Sequence, residues 1–367
     1  MNIKEIHVHV IRSPLNKPFS THLEVVKERE AIILELVEID GCKGYGEVVA
    51  FSSPWYTEET IKTCLHALRD FLIPAILQKT INHPNDLEGL LAPIRGNRMA
   101  KAGLECAIWD LYAKMNNQPL YRLIGGTKQE VEAGVVIAST SLQDALSSIE
   151  KVYDQGYKRY KIKIHPSHDE ELLAGIRTVY RDLPIMVDAN SSYDINDMEQ
   201  MRKLDLFNLM MIEQPFSHED IVDHATLRKQ INTPICLDES ITSFSMAKSA
   251  LYMQSCDILS IKLGRVGGLS EAIKIHNLCQ DHSVPVWCGG MIEFGISKAF
   301  NLALASLPNF TLPGDFSSST HYWERDIIMP GIKVQNGTIK LSNSPGIGFE
   351  IDEEALRLMG TKSEVYR

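Results

Sequence analysis

From residue 133 onward the chain keeps one rhythm, a short apolar run followed by an amphipathic run, and this constrains the fold more than any other feature. The apolar runs are "AGVVIAST" (133–140), "RYKIKIH" (159–165), "PIMVDAN" (184–190), "LMMIEQP" (209–215), "PICLDES" (234–240), "ILSIKLG" (258–264), "VPVWCGG" (284–290) and "FTLPGDF" (310–316). Segments such as "SLQDALSSIEKVYDQG", "DEELLAGIRTVYR" and "SEAIKIHNLCQDH" between them carry apolar residues at helical spacing. Strands joined through helices pair in parallel, because a parallel connection must cross a whole layer. Eight such units predict a (β/α)8-type barrel, with a doubly wound sheet as the alternative.

The flanking regions read differently. "IKEIHVHVIRSPL" and "REAIILELVEIDGCKGYGEVV" are strand patterns with a turn centred on Asp40-Gly41. From Thr57 to about Ile124 the pattern is helical: "TEETIKTCLHALRDFLIPAIL" starts on a capping threonine, and "KAGLECAIWDLYAKMNN" carries an apolar stripe. Strands followed by helices predict an α+β unit ahead of the barrel. The rhythm stops near Tyr322, and "IKVQNGTIKLSNSPGIGFEID" holds a hairpin signal at Asn336-Gly337 that is expected to return to the first unit.

Composition narrows the function. A net charge of −10 argues against nucleic acid or an anionic membrane as partner. The start, "MNIKEIHVHVIRS", lacks a charged segment followed by an apolar core, and no stretch nears the roughly 20 apolar residues of a membrane span, so a cytoplasmic location is expected. The seven cysteines are scattered without a CxxC pair and read as reduced, buried thiols. An enclosed small-molecule site is compatible with this charge, because local charge can oppose the net value, and self-association into a homo-oligomer is left open.

Lys161 and Lys163 lie two apart in "YKRYKIKIHP", and alternate with Tyr160, Ile162 and Ile164. Residues two apart on a strand share a face, so the lysines point one way and the apolar residues the other. If the apolar face meets a helix layer, both ammonium groups face the barrel interior, where each needs a partner or a purpose. The third, fourth and fifth strands close on Asp188, Glu213 and Asp238, at even spacings of 25 residues. Three carboxylates at adjacent strand tips repel one another unless a cation joins them, and an all-oxygen set favours Mg²⁺ over Zn²⁺. Lys163 ends strand two and Lys262 ends strand six, diametrically opposed in an eight-stranded barrel. A substrate carboxylate on the metal would hold its α-carbon between two ammonium groups. Lys163 is then the base, and Lys161, one layer deeper, is expected to lower its pKa.

"KIK" at 161–163, "DAN" at 188, "EQP" at 213, "DES" at 238 and "KLGRVGG" at 262–268 together resemble the muconate-lactonizing subgroup of the enolase superfamily. The resemblance implies a modified, TIM-like (β/α)7β barrel over 126–321, with an α+β capping domain over 1–125 and a C-terminal return over 322–367. It implies Lys163 as acid/base, Lys262 on the opposite face of the substrate, and Mg²⁺, with Mn²⁺ as a substitute, on Asp188, Glu213 and Asp238. Lys161, Asn190, Glu239, Arg265, Met291 and Glu293 fall at supporting or substrate-contacting positions, and loops near Phe19–His22 and Phe51–Tyr56 at segments that close over the pocket. Residues 289–327 closely resemble the o-succinylbenzoate synthases that include N-acylamino acid racemases. That likeness implies dehydration of 2-succinyl-6-hydroxy-2,4-cyclohexadiene-1-carboxylate in menaquinone synthesis. The alternative is two-base racemization of N-succinylamino acids.

Three other signals point elsewhere. "HVH" at 7–9 resembles the opening of metal-dependent amidohydrolase barrels, but strands five and six lack the histidines such a site needs. "GRVGGLSEA" at 264–272 could offer a helix N-terminus to phosphate, though a tight strand-to-helix turn is the simpler reading. A catalytically silent binding protein would have been favoured by loss of either lysine or any of the three carboxylates, and all five are present.

Overall fold

In the computed structural model, which describes residues 1–21, 23–139 and 141–367, the chain opens with β1 (Ile3–Ser20), β2 (Val25–Glu38) and β3 (Lys43–Val48), paired antiparallel in that order. The β2–β3 turn falls at the Asp40-Gly41 position, with Gly41 at φ 87°. The helix Arg98–Met115 lies against β3 at very short range: a Cβ on Gly46 would come within 2.0 Å of the Gly103 carbonyl. The glycines of "KGYGE" are what permit that approach.

The first helix begins later than the sequence pattern suggested. Thr60, not Thr57, caps Ile61–Ala67: its hydroxyl accepts from the Thr63 amide while the Thr63 hydroxyl accepts from the Thr60 amide at 2.8 Å, a reciprocal capping box. The helix then loosens into a π turn over Leu68–Leu72. Pro74 follows, and lacks the amide hydrogen that would bond the carbonyl four residues back.

The barrel strands are β4 (Glu130–Ile137), β5 (Arg159–Lys163), β6 (Ile185–Asp188), β7 (Ile212–Glu213), β8 (Ile235–Leu237), β9 (Ile258–Ile261), β10 (Val286–Cys288) and β11 (Gly314–Asp315). They pair in parallel in the order β10-β9-β8-β7-β6-β5-β4-β11, and a bridge between Val286 and Phe310 brings the ends together into a nearly closed barrel. All eight expected strands are present, several shorter than their apolar runs. Thr140, at the end of the first run, lies outside the described residues. On β5, Tyr160 and Ile162 join a hydrophobic core shared with Ile149, Val152 and Ile176 of the flanking helices Leu142–Tyr153 and Asp169–Val179. Lys161 and Lys163 therefore face inward. A smaller apolar cluster of Met186, Met211, Cys236, Ile258 and Trp287 fills the barrel beneath them.

The C-terminal segment corrects one expectation. The turn at Asn336-Gly337 forms, with φ of 51° and 76°, but it presents β13 (Thr338–Lys340) to β4 of the barrel, not to the first sheet. The return to the first sheet is made further on by β15 (Gly360–Tyr366), antiparallel to β1. Between them a small ribbon pairs β12 (Ile328–Met329) with β14 (Glu350–Ile351). All seven cysteines are free. Among the described residues no helix is long and apolar enough to cross a membrane.

Buried carboxylates from the N-terminal unit cap barrel helices. Glu47 on β3 accepts from the Phe294 and Ser297 amides at the start of the helix Gly295–Ala305 (2.9 and 2.8 Å). Glu105 accepts from the Ser270 amide (3.0 Å) and the Trp109 indole (3.2 Å) at the start of the helix Leu269–Asp281. The glycine-rich turn at 264–268 thus receives the Glu105 carboxyl in the place a phosphate would take. Gly268 is required there, since its Cβ would fall 1.6 Å from a Glu105 oxygen. Glu105→Ala takes the acceptor from the Ser270 amide, while the Trp109 indole keeps the Ser270 hydroxyl at 3.2 Å, and should lower stability by about 1–3 kcal/mol in urea unfolding.

Candidate active site

The barrel register sets the site. Lys163 pairs with Asp188 across β5 and β6, and Asp188 with Glu213 across β6 and β7, so the three stand at one level. Asp238 leaves β8 and Lys262 leaves β9 at the same end. Gln214, fully buried, ties the loops together by accepting from the Asp238 and Ser240 amides and donating to the Ser240 hydroxyl.

Each lysine meets a carboxylate. Lys163 Nζ lies 2.6 Å from Asp188 Oδ2 and donates also to Asn190 Oδ1 at 2.6 Å. Asn190 in turn donates to Glu239 Oε1 at 2.7 Å. Lys262 Nζ donates to Asp238 Oδ2 (2.7 Å) and to the Tyr56 hydroxyl (2.6 Å). Arg265 is an ion-pair partner of Asp238 at 2.7 Å, and donates to the same tyrosine at 2.9 Å. Lys161 lies one layer deeper, as expected, but its nearest partner is Asp315 Oδ2 at 2.7 Å, followed by Glu213 at 3.1 Å and Asp188 at 3.3 Å.

Burial works against every charge here, and neighbours decide the outcome. It would raise Asp188, but Lys163 and Lys161 hold that carboxyl below its usual range. The same contest leaves Asp238 well below its range, through Arg265 and Lys262. Glu213 goes the other way: burial, then the Asp188 charge, push it well up despite Lys161. Burial lowers Lys262, yet Asp238 overcomes this and raises it well above the lysine range. A fully buried glutamate between two aspartates is stable as an anion only with more positive charge nearby. The donor set, all carboxylate oxygens, suits a hard divalent cation.

Lys161, Lys163, Asn190, Lys262, Met291 and Glu293 line one cavity, closed by Phe19, Phe51, Trp55 and Tyr56. Arg265 and Glu239 face the adjoining cleft. Of the two loops expected over the pocket, Phe19, Thr21 and the 51–56 segment do reach it, while His22 lies outside the described residues. The cavity is about 50 Å³, room for several waters, with Phe19, Phe51, Trp55 and Tyr56 over it.

The sequence reading placed Tyr56 in a covering loop but not as a partner of Lys262, and it missed the buried Arg159 and Asp315 and the cavity-lining Lys298. Arg159 is fully buried two residues before Lys161 on the same strand face, ion-paired with Asp315 at 2.5 Å and stacked over Trp287. The period-two pattern that exposed the lysines extends to it, and Asp315 ends the eighth strand as Asp188 ends the third. The "HVH" histidines are remote from this site. They lie on β1 beside Glu35, with His7 held by Glu5 at 3.1 Å and Glu35 by Lys43 at 2.7 Å.

Residues 144–355 match the family described as enolase C-terminal domain-like, and residues 5–125 match the mandelate racemase / muconate lactonizing enzyme N-terminal domain. The chain belongs to the enolase superfamily. Within it, this superfamily member is 50% identical over 366 residues to an o-succinylbenzoate synthase of Bacillus subtilis, covering 100% of this chain and 99% of the relative. It is 38% identical over 352 residues to an N-succinylamino acid racemase of Thermus thermophilus, covering 96% and 95%. A solved enolase-superfamily structure from Listeria innocua superposes with a TM-score of 0.95 at 38% identity, covering 100% and 99%.

Proposed function

We propose that the protein dehydrates 2-succinyl-6-hydroxy-2,4-cyclohexadiene-1-carboxylate to o-succinylbenzoate. The observation that carries the chemistry is Lys163 and Lys262 lining one cavity from strands four places apart in the barrel order, with Asp188, Glu213 and Asp238 on the strands between. The full-length likeness to the Bacillus subtilis synthase supports the choice of substrate.

Lys163, as the free amine, takes the proton beside the ring carboxylate, and the C–H electrons pass into an ene-diolate. Lys262, held by Tyr56 and Asp238, keeps its ammonium charge against the opposite face of that anion. Collapse of the ene-diolate breaks the ring C–O bond, and the proton on Lys163 leaves with the hydroxyl as water, restoring the amine and making the ring aromatic. Asn190 fixes the Lys163 ammonium by accepting from it while tied to Glu239. Mg²⁺ on Asp188, Glu213 and Asp238 would supply the positive charge that stabilises the ene-diolate oxygens.

A second reading, racemization of N-succinylamino acids, is favoured by Lys262 lining the same cavity as Lys163 from a strand four places away in the barrel order, where it can serve as the second acid–base group. An assay of the purified protein with the cyclohexadiene substrate and with N-succinylamino acids separates the two. Appearance of o-succinylbenzoate with Mg²⁺, its loss in excess chelator and its return on adding Mg²⁺ are expected. Turnover of N-succinylamino acids alone would replace the synthase by the racemase, and full activity in chelator would exclude both metal-dependent readings.

A further inference from the structure

Every residue of the helix Gly295–Ala305 is buried, and the run "GISKAFNLALA" is apolar apart from Ser297, Lys298 and Asn301. A lysine in such a helix must be paired or must have a use. Lys298 is 2% exposed, and its ammonium makes one long hydrogen bond, to the Ser317 carbonyl at 3.3 Å, with the Tyr322 ring centroid 5.6 Å away. An ammonium has three protons to donate, so the group is underused. No described carboxylate forms an ion pair with it. The three nearest in charge are engaged elsewhere: Glu47 by the Phe294 and Ser297 amides, Asp326 by the Gly295 and Ile327 amides and the Ser319 hydroxyl, and Glu293 by Asn301. Burial pushes the Lys298 ammonium below the lysine range, and those carboxylates only partly offset it.

Lys298 lines the same cavity as Lys163 and Lys262, reached from the helix after β10. We propose that Lys298 is the anchor for a second carboxylate of the substrate, the one at the far end of a succinyl chain. This rests on the proposed function. The cyclohexadiene substrate and an N-succinylamino acid share a reacting carbon beside one carboxylate and a second carboxylate at the end of a four-carbon acyl chain. With the reacting carbon between the opposed lysines, the second carboxylate needs a cation elsewhere along the same cavity, and Lys298 lines it without a carboxylate partner among the described residues. A single ammonium there serves both reactions, whose chemistry at the reacting carbon differs. Away from water, such a charge-assisted contact is strong.

Calorimetric titration of the Mg²⁺-loaded protein with o-succinylbenzoate and with 2-butyrylbenzoate, which matches its shape but lacks the far carboxylate, reads this directly. The wild type should prefer o-succinylbenzoate by roughly 10- to 100-fold. Lys298→Met should bring that ratio near one, and Lys298→Arg should keep part of it. Lys298→Gln replaces the methionine variant if thermal melting shows that it does not fold. A wild type with no preference, or a variant that weakens both ligands alike and keeps the ratio, would overturn the assignment. Turnover of the cyclohexadiene substrate, measured on the same wild-type protein, separates the two claims. Turnover with a ratio indifferent to Lys298 rejects only the anchor, whereas a lysine-dependent preference without turnover rejects only the reaction.

Discussion

Lys163→Arg should lose o-succinylbenzoate formation by about 10²- to 10⁴-fold in kcat, the usual worth of a positioned acid–base group. Arginine preserves the charge but cannot give up its proton, so a base is lost while the field is kept. Lys163→Ala should be impaired to the same degree, and the equality of the two is the informative part. Lys262 should behave differently. In the proposed dehydration its role is that of a fixed charge, so Lys262→Arg should retain more synthase activity than Lys262→Ala, while both abolish racemization. Steady-state kinetics of the four variants, with circular dichroism to confirm folding, tests this. If Lys163→Arg were nearly as active as the wild type, Lys163 would be an electrostatic group and the base would lie elsewhere.

Glu213→Gln should remove the response to Mg²⁺ altogether. In the wild type, metal at a hundredfold excess over Kd should add about 2.7 kcal/mol of stability, because it binds only the folded chain. The glutamine variant keeps the size of the side chain and relieves a carboxyl that burial and Asp188 hold far above its ordinary range. Without metal it should therefore melt no lower than the wild type. With metal it should gain little, and its turnover should fall at least about 100-fold, beyond what loss of a mere supporting contact costs. Thermal melts with and without Mg²⁺ measure this, and a wild-type-sized shift in the variant would remove Glu213 from the metal site.

What the sequence revealed was whatever repeats. Lys163, Asp188, Glu213, Asp238 and Lys262 stand at the ends of apolar runs in constant phase, so a strand count placed them at one end of a barrel. The inward aim of Lys161 followed from a period of two. The pairings that complete the site are long-range and leave no periodic trace. Arg159 meets Asp315 at 156 residues' separation, and Tyr56 reaches Lys262 across 206. Lys298 sits in a helix that patterning marks as core, and only its neighbours' other commitments reveal its ammonium as underused. The turn at Asn336-Gly337 was legible because its conformation is local. Its partner, β4, was not, because strand choice depends on what the barrel leaves unpaired at that edge.

The opposed-lysine geometry is most directly tested by α-proton exchange in D₂O, followed by mass spectrometry with separate L and D N-succinylamino acids. Wild type should label both enantiomers. Lys163→Ala and Lys262→Ala should each stop racemization yet exchange one enantiomer, the one whose proton faces the surviving lysine, and that enantiomer should switch between the two variants. Exchange of the same enantiomer by both, or normal racemization by Lys262→Ala, would contradict a site built on lysines from opposite sides of the barrel.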